Sequence, residues 1–205
     1  MLQQLAPAFR MTVFLTIVTG LVYPGLVTGA CQLLFRHQAN GSLIAKNGQL
    51  VGSSLLGQNF TRSEYFHPRP SSAGSDGYDA TASQPSNLGP TNQKLYDRVK
   101  ASAAQFRKQN PAYSGPIPAD ALTASGSGLD PDISVANAEA QAGRVSQTRN
   151  VPLSTVEKLI ASATEPRDLG FLGEPRVNVL KLNLQLDRDL NPPQAVSGRV
   201  IAGLQ

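Results

Sequence analysis

The residues of this chain best suited to chemistry are few, and their spacing completes no common catalytic pattern. Ser125-Gly126-Ser127-Gly128 resembles a nucleophile elbow, but that turn needs Gly two positions before the serine, and Ser125 stands there. The same glycines could cradle a phosphate, yet a P-loop continues with Lys and Ser or Thr, whereas Leu129-Asp130 follows Gly128. A Ser/His/Asp triad would have to rest on His67, because the other histidine, His37, adjoins the apolar N-terminal segment. Asp76, Asp79, Asp130 and Asp132 could ligate a divalent cation, though their spacing fits no calcium loop. Asp130-Pro131-Asp132 reads instead as a turn leading into a helix cap. Cys31 is the single cysteine, which rules out an intrachain disulfide and a cysteine-based zinc site. The expectation is a chain with no catalytic residues and no metal site of its own.

These side chains must be carried by a chain of 205 residues with a net charge of +4 and only 16% charged residues. The basic residues are scattered and never interleaved with aromatics, so no nucleic-acid partner is expected. Gly (18) and Pro (15) are plentiful, which favours turns and loops over a helical bundle.

Between Arg10 and Arg36 there is no charged residue. Residues 11–35, following a short flank at 1–10, read as a transmembrane helix about 37 Å long, against a hydrocarbon core of about 30 Å. A cleaved signal peptide competes, and Thr28-Gly29-Ala30-Cys31 faintly resembles a lipoprotein cleavage site. The apolar stretch, however, continues through Leu33-Leu34-Phe35, longer than a signal region. Thr12, Thr16, Gly20, Pro24 and Thr28 recur every four residues, and Gly25 and Gly29 form a GxxxG pair. Small residues let helices approach closely in lipid, so this stripe predicts a partner helix. Flanking charge is nearly balanced and does not fix which way the helix points.

Residues 36–190 read as one mixed α+β domain. Leu43–Val51 is expected to form a hairpin about Asn47-Gly48, and Leu55–Phe60 to extend it. Residues 67–92 form a long Ser/Gly/Pro-rich loop, expected to be ordered by Tyr65, Phe66 and Tyr78. Helices are expected from about Leu95 to Asn110, with Ser102 on the polar side, and near Ile133–Val145, capped by Asp132 or Ser134. A third is expected from Ser154 to Pro166, with a Ser154/Glu157 capping box. Leu180, Leu182, Leu184 and Leu186 alternate with polar residues, which predicts a half-buried strand over Arg176–Asp187. The tail 191–205 opens with Pro-Pro and is expected to be disordered.

Taken in order, several segments resemble the C subunits of the Kdp potassium-transporting ATPases. They are Val22-Tyr23-Pro24, Gln38 to Leu43, Gly57-Gln58-Asn59-Phe60, Tyr65-Phe66-His67-Pro68-Arg69-Pro70, Ser86-Asn87-Leu88-Gly89-Pro90-Thr91-Asn92, Thr123 to Asp130, Arg144-Val145 and Val177-Asn178-Val179-Leu180. The chain departs from the pattern at Gln84-Pro85, at Lys181 and in its tail. The resemblance implies an accessory subunit of the inner membrane, partnered by a channel-like potassium-selecting subunit and a P-type subunit that hydrolyses ATP. It implies a soluble domain on the outer side, a role in assembly, and action as a catalytic chaperone that raises ATP affinity. ATP would be met only through the ATPase subunit, since no DKTG phosphorylation motif occurs here. Within the matched motifs, Gln58, Asn59, Phe60, Tyr65, Phe66, His67, Arg69, Asn87, Ser125, Gly126, Ser127, Gly128, Asp130 and Arg144 are the candidate interaction residues. The alternative is a signal-peptide or lipid-anchored binding protein with no pump attached.

Overall fold

The computed structural model describes residues 2–46 and 48–190. The expectations for Asn47 and for the tail 191–205 lie outside the described residues. The chain divides into two units, Met1–Ser53 and Ser54–Gln205.

In the first unit, α1 (Leu5–Ile17) and α2 (Tyr23–Leu34) are joined by a π-helical turn, Val18–Val22. The continuous helix Leu5–Leu34 is about 45 Å long and apolar enough to cross a bilayer. Thr12 and Thr19 return their hydroxyls to the carbonyls of Ala8 and Leu15, so these polar groups need no water. Pro24 directly follows the π turn Val18–Val22, so the shift in the hydrogen-bond ladder falls beside the residue that cannot donate to it. One further turn, α3 (Arg36–Ala39), leads to the expected hairpin of β1 (Leu43–Lys46) and β2 (Gln49–Ser53). Lys46 pairs with Gln49, Gly48 has φ +79°, and the register slips between Ile44 and Ala45. Leu55–Phe60 does not extend this sheet: Gly57 instead donates to the carbonyl of Leu129.

The second unit packs helices on a short antiparallel sheet ordered β3-β5-β4. Its strands are β3 (Asp132–Ser134), β4 (Thr164–Glu165) and β5 (Arg176–Asn178). The first soluble helix, α4 (Gln93–Gln109), stops at Asn110 as its pattern predicts, and it starts two residues before Leu95 because Asn92 caps it by accepting from the Lys94 amide. Ser102 corrects the sequence reading, because it is half-buried. The next, α5 (Val135–Arg149), takes Ser134 as its N-cap. α6 (Leu153–Ala163) starts after Pro152, so Ser154 lies inside its first turn and forms no capping box.

The strand expected over Arg176–Asp187 ends after three residues. Asn178 accepts from the amide of Lys181 and starts a helix, α7 (Val179–Asp189). Val179, Leu182, Asn183 and Leu186 then share one buried stripe at helical spacing. With Ile133, Val145, Val156, Ile160, Val177 and Phe66, the apolar members of this stripe, Val179, Leu182 and Leu186, make the core.

Candidate functional site

The segment from Gly57 to Ser71 has no regular secondary structure, yet other elements hold it at almost every step. Arg144, on the buried face of α5, reaches it first. Its Nη1 donates to the carbonyls of Ser63 and Tyr65, Nε to Asn110 (3.0 Å), and Nη2 to Gln141 (2.7 Å). Burial pulls this guanidinium down to about 10, with Glu64 pulling the other way, so it stays charged at neutral pH. Three carbonyl-type oxygens and Gln141 replace the water it lost.

The next two residues are clasped by amides. Asn183 of α7 accepts from the N–H of Phe66 (2.8 Å) and donates to its carbonyl (3.0 Å). Gln141 of α5 does the same for His67, at 2.8 and 3.0 Å. Each side chain thus mimics a strand partner where no strand exists. Phe66 itself is fully buried. Burial, and secondarily the charge of Arg144, lowers the His67 pKa, so its imidazole is neutral and Nε2 lies 3.0 Å from the carbonyl of Arg62.

Tyr65 is held by its ring and its hydroxyl. Arg149 stacks over the ring at 5.0 Å, and the hydroxyl donates to Asp187 at 3.1 Å. Arg149 also pairs with Asp187 (2.8 Å) and donates to the carbonyl of Glu64. Burial first, and the Asp187 carboxylate second, raise the Tyr65 pKa.

Further along, Arg69 pairs with Asp130 at 2.8 Å. Ser71 donates to the carbonyl of Gly128 and accepts from Ala73 and Tyr78. The hydroxyl of Tyr78 closes on the carbonyl of Arg69 at 2.5 Å, and burial raises its pKa. The long loop is therefore ordered, as expected, with Tyr78 among its anchors. The Ser125–Gly128 turn is its counterpart. Ser125 Oγ accepts from the Gly128 amide and Ser127 Oγ from the Leu129 amide. Gly128 has φ +70°, and a Cβ there would lie 2.7 Å from the carbonyl of Gln84.

The structure thus brings Tyr65, Phe66, His67 and Arg144 together, and separately Arg69, Ser125, Ser127, Gly128 and Asp130. Asn59 and Asn87 are exposed, Gly126 is exposed, and Gln58 and Phe60 are half-buried. Asn59, Phe60, His67 and Arg69 also line a cleft of about 440 Å³, closed by Ser102 and Gln109 of α4. The four aspartates do not converge: Asp130 faces Arg69, Asp132 faces Arg176 and Asn178, Asp79 binds Thr81, and Asp76 lines the cleft.

Sequence reading missed Gln141, Asn183 and Arg149, which do most of this clasping, and Asp120, which accepts from Ser134 and Asn137. Gln141 carried a signal, since a polar residue on the buried stripe of α5 must find a partner.

The run from Tyr65 to Pro70 and the serine-glycine segment ending at Asp130, two of the segments that carry the family resemblance, are bound together here through Arg69 and Asp130, and Asn183 and Asp187 of α7 hold the same run at Phe66 and Tyr65. A sequence profile of KdpC, the c chain of the K+-transporting ATPase, matches residues 5–188. The chain belongs to the KdpC family. A KdpC subunit of a potassium-transporting ATPase from Gemmatimonas aurantiaca is 58% identical over 187 residues, 91% of this chain and 94% of the relative. One from Mycobacterium tuberculosis is 57% identical over 190 residues, 92% of this chain and all of the relative. One from Rhodospirillum rubrum is 54% identical over 187 residues. The KdpC match takes in the apolar helix as well as the soluble unit, which disfavours the lipid-anchored binding protein.

In the KdpC helix, the small residues face open space. Among the described residues beyond the helix's own adjacent backbone, a Cβ at Gly20, Gly25 or Gly29 would meet nothing within 4 Å. A step of four residues overshoots one α-helical turn by about 40°, so Thr12, Thr16, Gly20, Pro24 and Thr28 would wind around a regular helix. The wider π turn at Val18–Val22 undershoots for the same step and draws the stripe back towards one face.

Proposed function

We propose that this KdpC-family chain is a non-catalytic accessory subunit of an ATP-driven potassium uptake complex in the inner membrane. It assembles and stabilises the complex, and it acts as a catalytic chaperone that raises the ATP affinity of the P-type subunit. The observation that carries the docking half is the set of glycines with no neighbour. Nothing among the described residues requires Gly20, Gly25 and Gly29 to be small, so a partner helix is what their smallness serves. That partner is the channel-like, potassium-selecting subunit, and the loop 67–92 covers its outer mouth. The interaction candidates with exposed side chains, Asn59 and Asn87 among them, remain available for such contacts.

With the soluble domain on the outer side, it cannot touch a nucleotide bound in the cytoplasm. The chaperone effect is then a coupling free energy, exerted by preferring one conformation of the pump. About 1.4 kcal/mol between two states gives a tenfold change in ATP affinity.

Two experiments test this reading. Gly25→Leu with Gly29→Leu should abolish co-purification with the channel-like subunit, and an intact complex would remove the docking half. Topology decides the route of coupling. In a Cys31→Ser background, a cysteine at exposed Ala101 should react with an impermeant thiol reagent in whole cells. Reaction only after lysis would place the domain inside and make direct help with ATP binding the better account.

A further inference from the structure

Glu64 is the first carboxylate side chain of the sequence. Up to Ser53 the charged side chains are Arg10, Arg36 and Lys46, all cationic. The last two flank the β1–β2 hairpin. Arg36 is exposed just past the apolar helix, and no carboxylate pairs with it among the described residues. Lys46 is exposed at the end of β1.

The base of the hairpin is tied to the end of the membrane helix. Gln32 donates to Asn40 at 3.3 Å, and Asn40 donates to the carbonyl of Arg36 at 2.7 Å. The Ser42 amide donates to the carbonyl of His37 (3.0 Å), and Ser53 Oγ to that of Gly41 (2.7 Å). Between Phe35 and the hairpin stands α3, a single turn about 6 Å long. The headgroup layer is about 5–8 Å deep on each side of the hydrocarbon. With Phe35 as the last apolar residue of the span, β1 therefore starts at the edge of that layer.

The hairpin also divides its residues by polarity. Leu43 and Ala45 share one face of β1, and Leu50 is the cross-strand partner of Ala45. On that face Leu43 and Leu50 are 49% and 51% exposed, while Lys46 belongs to the opposite face. A two-stranded hairpin is marginal in water by itself. An apolar face, a cationic reverse and a place beside the bilayer are the features that hold amphipathic helices in the interface plane.

We infer that the hairpin lies on the bilayer surface, with Leu43 and Leu50 among the headgroups and Arg36 and Lys46 on the phosphates of anionic lipids. This rests on Leu5–Leu34 crossing the membrane, and not on the assembly role. A cation with no acid nearby in sequence is drawn to anionic headgroups, by about fivefold in partition for each one. The long Lys46 side chain reaches the phosphates from the far face by snorkelling.

The chain has no Trp, so one introduced indole reports only its own surroundings. The full-length Leu50→Trp protein is placed in nanodiscs of phosphatidylcholine, or of an equal mixture with phosphatidylglycerol, whose acyl chains are brominated near the headgroup. Its fluorescence should be quenched at least half as much as that of Leu21→Trp in the span, and more strongly in the mixture. Adding Arg36→Gln with Lys46→Gln should remove the difference between the two lipids. An unquenched indole at position 50, with the one at position 21 quenched, would overturn the inference and leave the membrane span standing. Equal quenching in both lipids would overturn it too. If the indole at position 21 also escapes quenching, the span itself fails and the inference falls with it. In membranes that hold the partner subunits, a photo-reactive phenylalanine analogue at position 50 should give lipid adducts. Adducts only to a separate polypeptide would overturn the inference.

Discussion

Asn183 and Phe66 lie 117 positions apart, yet the side-chain amide of one satisfies both backbone groups of the other, at 2.8 and 3.0 Å. Phe66 fills the core beside Leu182 and Leu186 of the same helix. One polar and one apolar contact therefore fix the same residue on α7, and the loop segment cannot shift along the helix without breaking both.

Asn183→Leu should destabilise the chain by about 2–5 kcal/mol, because the Phe66 N–H and carbonyl would each stay buried and unsatisfied. Urea unfolding of the full-length protein in detergent measures this. A loss under about 1 kcal/mol would mean that water replaces the clasp.

Arg144→Lys keeps the charge but loses the planar fork that serves Asn110, Gln141 and two carbonyls at once. We expect a loss of about 2 kcal/mol or more by the same unfolding assay. A lysine variant as stable as the parent would show that charge alone suffices there.

Gly57→Ala places a Cβ 2.5 Å from the backbone carbonyl of Asp130 and 2.7 Å from the Tyr78 ring. Backbone on one side and a pinned ring on the other leave little room to yield, so a cost of about 1–3 kcal/mol is expected. Gly89→Ala meets nothing within 4 Å and serves as the control, expected within about 0.5 kcal/mol of the parent. Thermal melts of the pair, run side by side, test the contrast.

The lowered pKa of His67 makes stability depend on pH in one direction. The unfolded chain takes up the proton first as pH falls below about 6.5, so the folded state loses stability through that window and down to the lowered folded value. Melting temperatures measured from pH 8 to pH 5 should therefore fall towards acid. In His67→Gln that part of the slope should vanish, and an unchanged slope would assign it to other groups.

The sequence by itself determined the parts whose cause is local. An uncharged run from Met11 to Phe35 reads as an apolar helix, and the hairpin, α4 and the Ser134 cap of α5 follow from turn residues, periodicity and capping side chains. Ordered motifs along the chain revealed the family. The alternating leucines at 180, 182, 184 and 186 misled, because Val179, Leu182 and Leu186 also fit a helical stripe and Asn178 caps it. Two periods were compatible with one string of residues, and the space above the sheet chose between them. Asn183 looked solvent-facing in a strand pattern, yet it is buried against a backbone segment far away in sequence. Whether a polar side chain goes inside depends on where a distant amide and carbonyl are presented, and only the tertiary structure brings those groups together.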